Sequence, residues 1–369
     1  MDLTLLGLLC ALLALAGMVQ GLLAARAVAR LAATPRPTGP ALPASILKPL
    51  HGAEPGLAEN LRASLEQRHA APFELVMALA DPADPARPIA ESLPEPARLI
   101  IEPRVLGPNR KVSQLVHLQQ AARLPLLVAA DADIRVDPGW LTAVTAPLAD
   151  PDVGLVTCLY RGEAADGGFF SRLAALSIDW HFLPNAALGE ALGRARGCYG
   201  ATMAIRVETL EAVGGFARFL HDLADDHALG EAVRALGLRV EVSPVIPAHM
   251  MHEPGPLALW RHELRWARTI RWLAPRGYLG LALTHPLPWA LLAAALLPAT
   301  AAAAVVGLAL GARLAATARI DVALGRAPRP AWVIPRDLLS FAVWLAGLLP
   351  GGVHWGGQRL RPRRRGRLS

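Results

Sequence analysis

The apolar positions of this chain fall into three regimes. Residues 3–23 form an uncharged run of 21, long enough to cross a hydrocarbon core, which takes ~20 residues. Asp2 stands where a cleaved leader would be basic, and Arg26 and Arg30 follow the run at once. Arginines after the run predict a signal anchor with the downstream chain in the cytosol. A proline-rich spacer, PRPTGPALP (35–43), then breaks the helical pattern.

From residue 44 the period changes. Short apolar runs at ASILKPL (44–50), FELVMALAD (73–81), ARLIIEP (97–103) and PLLVAADADIRV (125–136) predict strands. Between them, PGLAENLRASLEQ (55–67) and RKVSQLVHLQQAAR (110–123) have helical spacing. Strands alternating with helices predict an α/β fold with a mostly parallel sheet. Ligands of such sheets bind beyond the C-terminal strand ends. Two strands run into acids there, Asp81 in one case and Asp131 with Asp133 in the other. The mixed pattern continues with a strand at GLVTCLY (154–160) and helical spacing over 169–192. A helix closes on a glycine pair in ETLEAVGGF (208–216). ADDHALGEAVRALG (224–237) is a helix with Asp225 and Asp226 in its first turn, followed by the strand LRVEVSP (238–244). WRHELRWARTIRW (260–272) is a basic amphipathic helix carrying Trp260, Trp266 and Trp272.

The third regime is apolar again. Residues 279–311 are nearly free of charge but broken by Pro286, Pro288 and Pro298. Residues 338–349 form a run of only 12, short for a crossing and readable as re-entrant or interfacial. The stretch 312–332, with Arg313, Arg319, Arg326 and Arg329, reads as a polar linker. The number of C-terminal crossings stays open. The expected organisation is an anchor at 1–25, a linker at 26–43 and a catalytic domain at 44–259. An interfacial helix at 260–277, a membrane region at 278–352 and a basic cytosolic tail at 353–369 follow.

Composition narrows the classes. A hydrophobic fraction of 53% excludes global disorder. Cys10, Cys158 and Cys198 are too few and too widely spaced for a disulfide scaffold or a four-cysteine zinc site. The net charge of +7 is uneven: the last eleven residues, RLRPRRRGRLS, hold six arginines and no acid. Beside apolar segments this reads as contact with an anionic leaflet. No aromatic–basic interleaving supports nucleic acid binding. Of 37 basic residues only Lys48 and Lys111 are lysine, which marks them as positions suited to a compact ammonium rather than a planar fork.

Asp81, Asp131, Asp133, Asp225 and Asp226, with the Arg/Trp-rich helix, are the parts a nucleotide-sugar transferase needs. Carboxylate oxygens are hard ligands of the kind Mg²⁺ or Mn²⁺ prefers, and such a cation offsets charge on a departing diphosphate. A carboxylate can also take the acceptor's proton, and arginine can hold the leaving phosphate. Each part has a plainer alternative. D-x-D occurs in surface turns, ADPADPA is rich in turn residues, and Asp225-Asp226 suits any helix N-terminus. An interfacial belt explains the tryptophans as well as substrate stacking does. His252 and His262 lack paired ligand spacing. Met250 and Met251 read as packing, and Cys198 as an inert buried thiol.

Taken in order, SILKPLHGAEPGLAENL, the acid in ALADPADPA, GPNRKVSQL, DADIRV, LADDHALGEAVRALG and HELRW resemble the ceramide glucosyltransferase family. Its members are membrane-bound inverting glycosyltransferases of GT-A fold, and the likeness covers roughly residues 44–275. VTCLYRG, SIDWHFLP and WRHELRWARTIR look most like its bacterial hopanoid branch. That branch moves N-acetylglucosamine from its UDP derivative to bacteriohopanetetrol. The resemblance implies a uridine contact at Asp81, a metal-holding D-x-D element at Asp131 and Asp133 with Asp133 the leading ligand, and a catalytic base at Asp226. It places Lys48, Asn109 and Lys111 among the nucleotide-sugar contacts. The family's Q/R-x-x-R-W element falls on His262, Arg265 and Trp266, with histidine in the first position. Arg268 to Trp272 repeats the spacing.

The resemblance therefore implies a GT-A nucleotide-sugar domain between N-terminal and C-terminal membrane helices. It also implies a divalent metal, a UDP-sugar donor, a lipid acceptor (hopanoid or ceramide) and an inner-membrane location facing the cytosol. The alternatives are a ceramide glucosyltransferase using UDP-glucose and a membrane protein with a degenerate sugar-nucleotide site.

Overall fold

The computed structural model describes residues 2–352 other than Arg196, and the backbone of 353–355 and 358–360. The expected basic tail lies, from residue 361 on, outside the described residues. The chain divides into two compact units. An α/β unit holds Thr34–Ser171 and Arg196–His252, with the end of the chain from Trp355. A helical unit holds Met1–Ala33, Arg172–Ala195 and Glu253–His354.

The α/β unit is built from β1 (Ala44–Pro49), β2 (Phe73–Leu79), β3 (Ala97–Ile101), β4 (Leu126–Ala129), β5 (Ile134–Arg135), β6 (Val153–Cys158), β7 (Arg161–Ala164), β8 (Met203–Arg206), β9 (Arg239–Ser243) and β10 (Ala248–Met251). Seven strands form one sheet in the order β3-β2-β1-β4-β8-β6-β9. β1 runs parallel to β2 and β4, β2 to β3, and β6 to β9, while β8 is antiparallel to both neighbours. The sheet is thus mostly parallel, as the alternating strands and helices predict. Side chains alternate across it. Leu75, Met77 and Leu79 pack on one face with Trp140 and Val144. Val76 and Ala78 pack on the other with Leu115, Leu118 and Val233.

Two features of this topology position the site. All the parallel strands end on one side, so the residues after β2 and β4 emerge together. β8 runs the other way, so the loop that precedes it enters from that same side. The strand pattern of the sequence did not predict β8, a four-residue strand, nor the small sheet β5-β10-β7. In that small sheet His249 lies opposite Ile134.

The helical unit corrects the expected C-terminal pattern. Among the described residues, three helices are long and apolar enough to cross a membrane: Leu3–Ala33, Ala299–Ala323 and Pro330–Leu348. The 279–311 block is not one element. Pro286 opens the helix Pro286–Ala294, and Pro298 caps the helix Ala299–Ala323, positions where the missing N–H costs nothing. Arg313 and Arg319, read as linker, lie inside the Ala299–Ala323 helix. Arg336 and Asp337 belong to the helix that contains the short 338–349 run.

The charges are tolerated because they are paired. Arg313 donates to both oxygens of Asp337 at 2.6 and 2.7 Å. Arg336, fully buried, donates to both oxygens of Glu263 at 2.7 Å. Asp179 and Asp321 are likewise buried against Arg326 and Arg329. A hydropathy reading penalises each charge singly and cannot see a partner tens of residues away. Asp179 sits in a π-helical turn, Ile178–Phe182, ahead of Pro184. There the proline removes a backbone donor and the helix widens by one residue to pass it.

Removing one partner of such a pair strands a buried charge. Glu263→Ala is therefore expected to cost about 3–5 kcal/mol, and Glu263→Leu with Arg336→Met together distinctly less. Thermal unfolding of the detergent-solubilised chain reads both.

Candidate active site

The D-x-D segment sits in a turn whose three carbonyls are each gripped by a different element. Lys48 of β1 donates from Nζ to the carbonyls of Asp131 and Ile134 at 2.9 and 3.0 Å. Asn60, on the helix Leu57–Leu65, donates to the Ala132 carbonyl at 3.1 Å. The Met250 amide of β10 donates to the Asp133 carbonyl at 2.8 Å. Held this way, the backbone leaves both carboxylates to face other groups.

Those groups come from three directions. Lys111 opens the helix Arg110–Ala121, and its Nζ lies 2.6 Å from Asp131 Oδ1 and 3.9 Å from Asp225 Oδ2. His249 Nε2 lies 3.1 Å from Asp133 Oδ2, with its ring 5.3 Å from that of Tyr160. Asp226, in the first turn of the helix Asp225–Ala235, accepts from the His227 amide at 2.7 Å and from the Gly200 amide at 2.9 Å. Gly200 belongs to the loop that enters β8. Thr157 of β6 pins that loop, its hydroxyl bonding both the amide and the carbonyl of Tyr199. A Cβ on Gly200 would stand 3.3 Å from Asp226 Oδ2 and Lys111 Nζ, and 3.6 Å from Asp131 Oδ2. The missing side chain leaves the space in which these three groups meet.

The electrostatics follow from burial and crowding. Burial and the neighbouring Asp225 push the Asp226 carboxyl up to about 6, against the pull of Lys111 and two backbone amides. Burial and Asp133 also raise Asp131, although Lys111 opposes them. Asp133 is desolvated too, but His249, Lys48 and Lys111 overcome that and hold it down at about 2. Burial pulls Lys48 down to about 8. For Lys111 the desolvation is outweighed by Asp131 and Asp225, and its pKa rises.

A cleft of about 490 Å³ opens on these groups. Its lining includes Asp81, Lys111, Asp131 and Asp133, with Gln114 and the loop from Leu50 to Leu57. Asp81 is exposed at its rim and accepts from the Ala83 amide at 2.8 Å in an Asx turn. Asp84 is buried and takes the amides of Gly52 and Ala86, fixing the loop beside the cleft.

Residues 9–368 match the family described as Glycosyl transferase family 21. The chain belongs to this family. Its members are glycosyl transferases, and the sequence reading of an enzyme of that class stands. This family 21 chain is similar to a curated protein, "Ceramide glucosyltransferase 1" of Caenorhabditis elegans, at 25% identity over 215 residues. That match covers 57% of this chain and 45% of the relative, so the chain aligns with about half of its length. Among solved structures, the mannosyltransferase PcManGT from Pyrobaculum calidifontis, determined with GDP-Man and Mn²⁺, aligns over 93% of this chain and 97% of its own. The TM-score is 0.51 and the identity 22%. The fold of this family 21 chain is therefore GT-A-like.

Of the residues singled out by sequence, the α/β unit brings Asp81, Lys111, Asp131, Asp133, Asp225 and Asp226 to one end of the sheet. Lys48 and Asn109 lie beneath these groups. Both are fully buried, and both spend their donors on protein. Lys48 holds the D-x-D turn from behind. Asn109 caps its helix by accepting from the Val112 amide, and its Nδ2 donates to the Asp222 carbonyl at 2.9 Å. It thereby ties the Lys111 helix to the loop before Asp225.

His262, Arg265 and Trp266 lie on the helix Pro256–Leu273 of the helical unit. His262 Nδ1 is 2.5 Å from Glu253 Oε1, and its ring meets Trp266 edge-on at 4.6 Å. In the repeated spacing, Arg268 and Arg271 donate to the carbonyls of Gly352 and Leu348.

Sequence reasoning missed His249, Asn60, Tyr160 and Gly200. No spacing rule points to His249, because only the pairing of β10 with β5 sets it beside Asp133. His252, the histidine weighed instead, pairs with Asp166 at 3.1 Å.

Proposed function

We propose that this chain is an inverting glycosyltransferase that moves a sugar from a UDP-sugar to a hydroxyl of a membrane lipid. The observation that carries the reading is the convergence of Asp131, Asp133, Asp225 and Asp226 with Lys111 at the C-terminal end of a parallel sheet, beside an open cleft. The fold and family supply the reaction class, and the carboxylates supply its chemistry.

The donor set suits a divalent cation. Among the described residues, no three His, Cys, Asp or Glu side chains are already posed as a complete metal cage. Asp133 Oδ1, however, is buried with no hydrogen-bond partner. Asp131 and Asp133 would hold the ion, with His249 orienting Asp133 and the donor's own oxygens completing the shell. Bound there, Mg²⁺ or Mn²⁺ would offset charge on the departing diphosphate.

The chain's own residues do the rest. Asp81 at the rim suits a uridine contact. Asp226 takes the proton of the acceptor hydroxyl as its oxygen bonds the anomeric carbon. The bond from that carbon to the diphosphate breaks on the far side, and UDP leaves with the electron pair, so the anomeric configuration inverts. A carboxyl near 6 is suited to this work at neutral pH, since it is ionised yet still basic enough to accept a proton. For His262, Arg265 and Trp266 as diphosphate contacts, the support is the motif and not a distance.

Three membrane-length apolar helices and the ceramide-type relative favour a lipid acceptor. Arginines following the first helix favour a cytosolic face at the inner membrane. The narrower likeness favours N-acetylglucosamine and bacteriohopanetetrol, and the curated relative favours glucose and ceramide. Purified chain in detergent, given a panel of UDP-sugars and lipids, decides by mass spectrometry of the lipid fraction. The expected product is a hopanoid carrying one N-acetylhexosamine, absent when a chelator is present. Glucosylceramide would select the ceramide reading. Donor binding without any glycolipid would leave a degenerate site.

A further inference from the structure

Both lysines of the chain converge on one turn, although arginine fills every other basic position. Lys48 grips that turn's backbone. Lys111 does something different. Its ammonium sits 2.6 Å from Asp131 and within 3.9 Å of Asp225, and close to the point where Asp226 approaches Gly200. Asp131 comes from the end of β4, and Asp225 from a helix 94 residues further on. No other ammonium or guanidinium is paired with either carboxylate among the described residues. Asp225 Oδ2 and Asp133 Oδ1 remain buried without hydrogen bonds. One point charge therefore stands between two acidic segments that repel each other.

We propose that Lys111 is a built-in counter-cation. It holds the two acidic segments together while the site is unloaded, and it competes with a divalent cation for Asp131. When the cation and the donor arrive, the ammonium gives up Asp131 and turns to the donor's diphosphate. A lysine can do this because its charge is compact and its four-carbon stem is flexible. A guanidinium fork would lock bidentately on the carboxylate. The inference rests on the nucleotide-sugar reading above and assigns Lys111 a competing role beyond a simple donor contact.

The test is Mn²⁺ binding by electron paramagnetic resonance, without nucleotide, to full-length protein, Lys111→Met and Lys111→Gln. Melting curves in detergent, with chelator or with added MnCl₂, accompany it. Removing the competitor should tighten Mn²⁺ binding about tenfold. It should also lower the melting temperature in chelator and make the variant gain more from Mn²⁺ than the parent does. A lysine with a merely structural role would lower the melting temperature without tightening the ion. The Gln variant keeps a polar group at the site should the Met variant fold poorly. Unchanged or weaker Mn²⁺ binding by a folded variant overturns the proposal. If the parent binds no Mn²⁺ but the variants do, the counter-cation stands and the metal in the proposed function falls. If none binds, both fall.

Discussion

Asp226→Asn is expected to lower sugar transfer by about 10³-fold, within the range that general bases contribute, while donor affinity changes no more than a few fold. The amide keeps the shape, but its single oxygen can accept from only one of the Gly200 and His227 amides, and it cannot take a proton. Single-turnover transfer and titration with labelled UDP-sugar separate the two effects. Loss of donor binding together with turnover would show that Asp226 builds the site instead of acting in it.

The pH dependence gives an independent check. Burial and Asp225 raise this carboxyl to about 6, so kcat/KM should fall about tenfold per unit below that pH. The effect on stability has the opposite sense. A carboxyl whose pKa is higher in the fold than its ordinary 3.8 favours the folded state when protonated. That contribution is complete below about pH 4 and lost as the pH rises through 6. Asn carries no such penalty. Between pH 4 and pH 7.5, Asp226→Asn should therefore gain on the parent by on the order of 1–3 kcal/mol, on top of a pH-independent cost for the backbone hydrogen bond it loses. A difference between variant and parent that does not change with pH would contradict the buried, crowded environment.

Asp133→Asn should abolish cation-dependent transfer, with a loss of at least about 10²-fold, and should remove the Mn²⁺ resonance signal. His249, Lys48 and Lys111 hold Asp133 ionised near 2, so it presents a full negative charge at any working pH. The amide has the same size but only a neutral oxygen, a poor partner for a hard cation. His249→Gln should be milder, at about 10–100-fold in metal affinity, the range seen when a group that orients or assists a ligand is changed. An Asp133→Asn protein that still turns over, and is still inhibited by chelator, would place the cation elsewhere.

Much of the α/β unit was legible because its signals are local. Runs such as FELVMAL alternate between two buried faces, and the helix from Arg110 begins at an asparagine that caps it. The acids after β2 and β4 could be tied to a site because parallel strands must end together. Lys48 shows the limit of such reading. Its type and place were conspicuous, but whether its ammonium points into the cleft or under the D-x-D turn depends on side-chain direction, which spacing does not encode. The membrane-length helices show another limit. Arg313 read as part of a linker, and the apolar run read as starting only after Arg336 and Asp337, because the partners that neutralise these charges lie 24 and 73 residues away along the chain.

The linear order of residues alone determined the α/β class, the N-terminal apolar helix, and the identity of the acids around which the site is built. These depend on hydrophobic period and residue chemistry, both properties of neighbours in the chain. Only the folded arrangement decided that His249 stands beside Asp133, that Gly200 leaves room for three charged groups to meet, and that Lys111 joins Asp131 to Asp225. Those contacts arise from strand pairing and helix placement across long separations, where each group's charge state is set by whichever group packs against it.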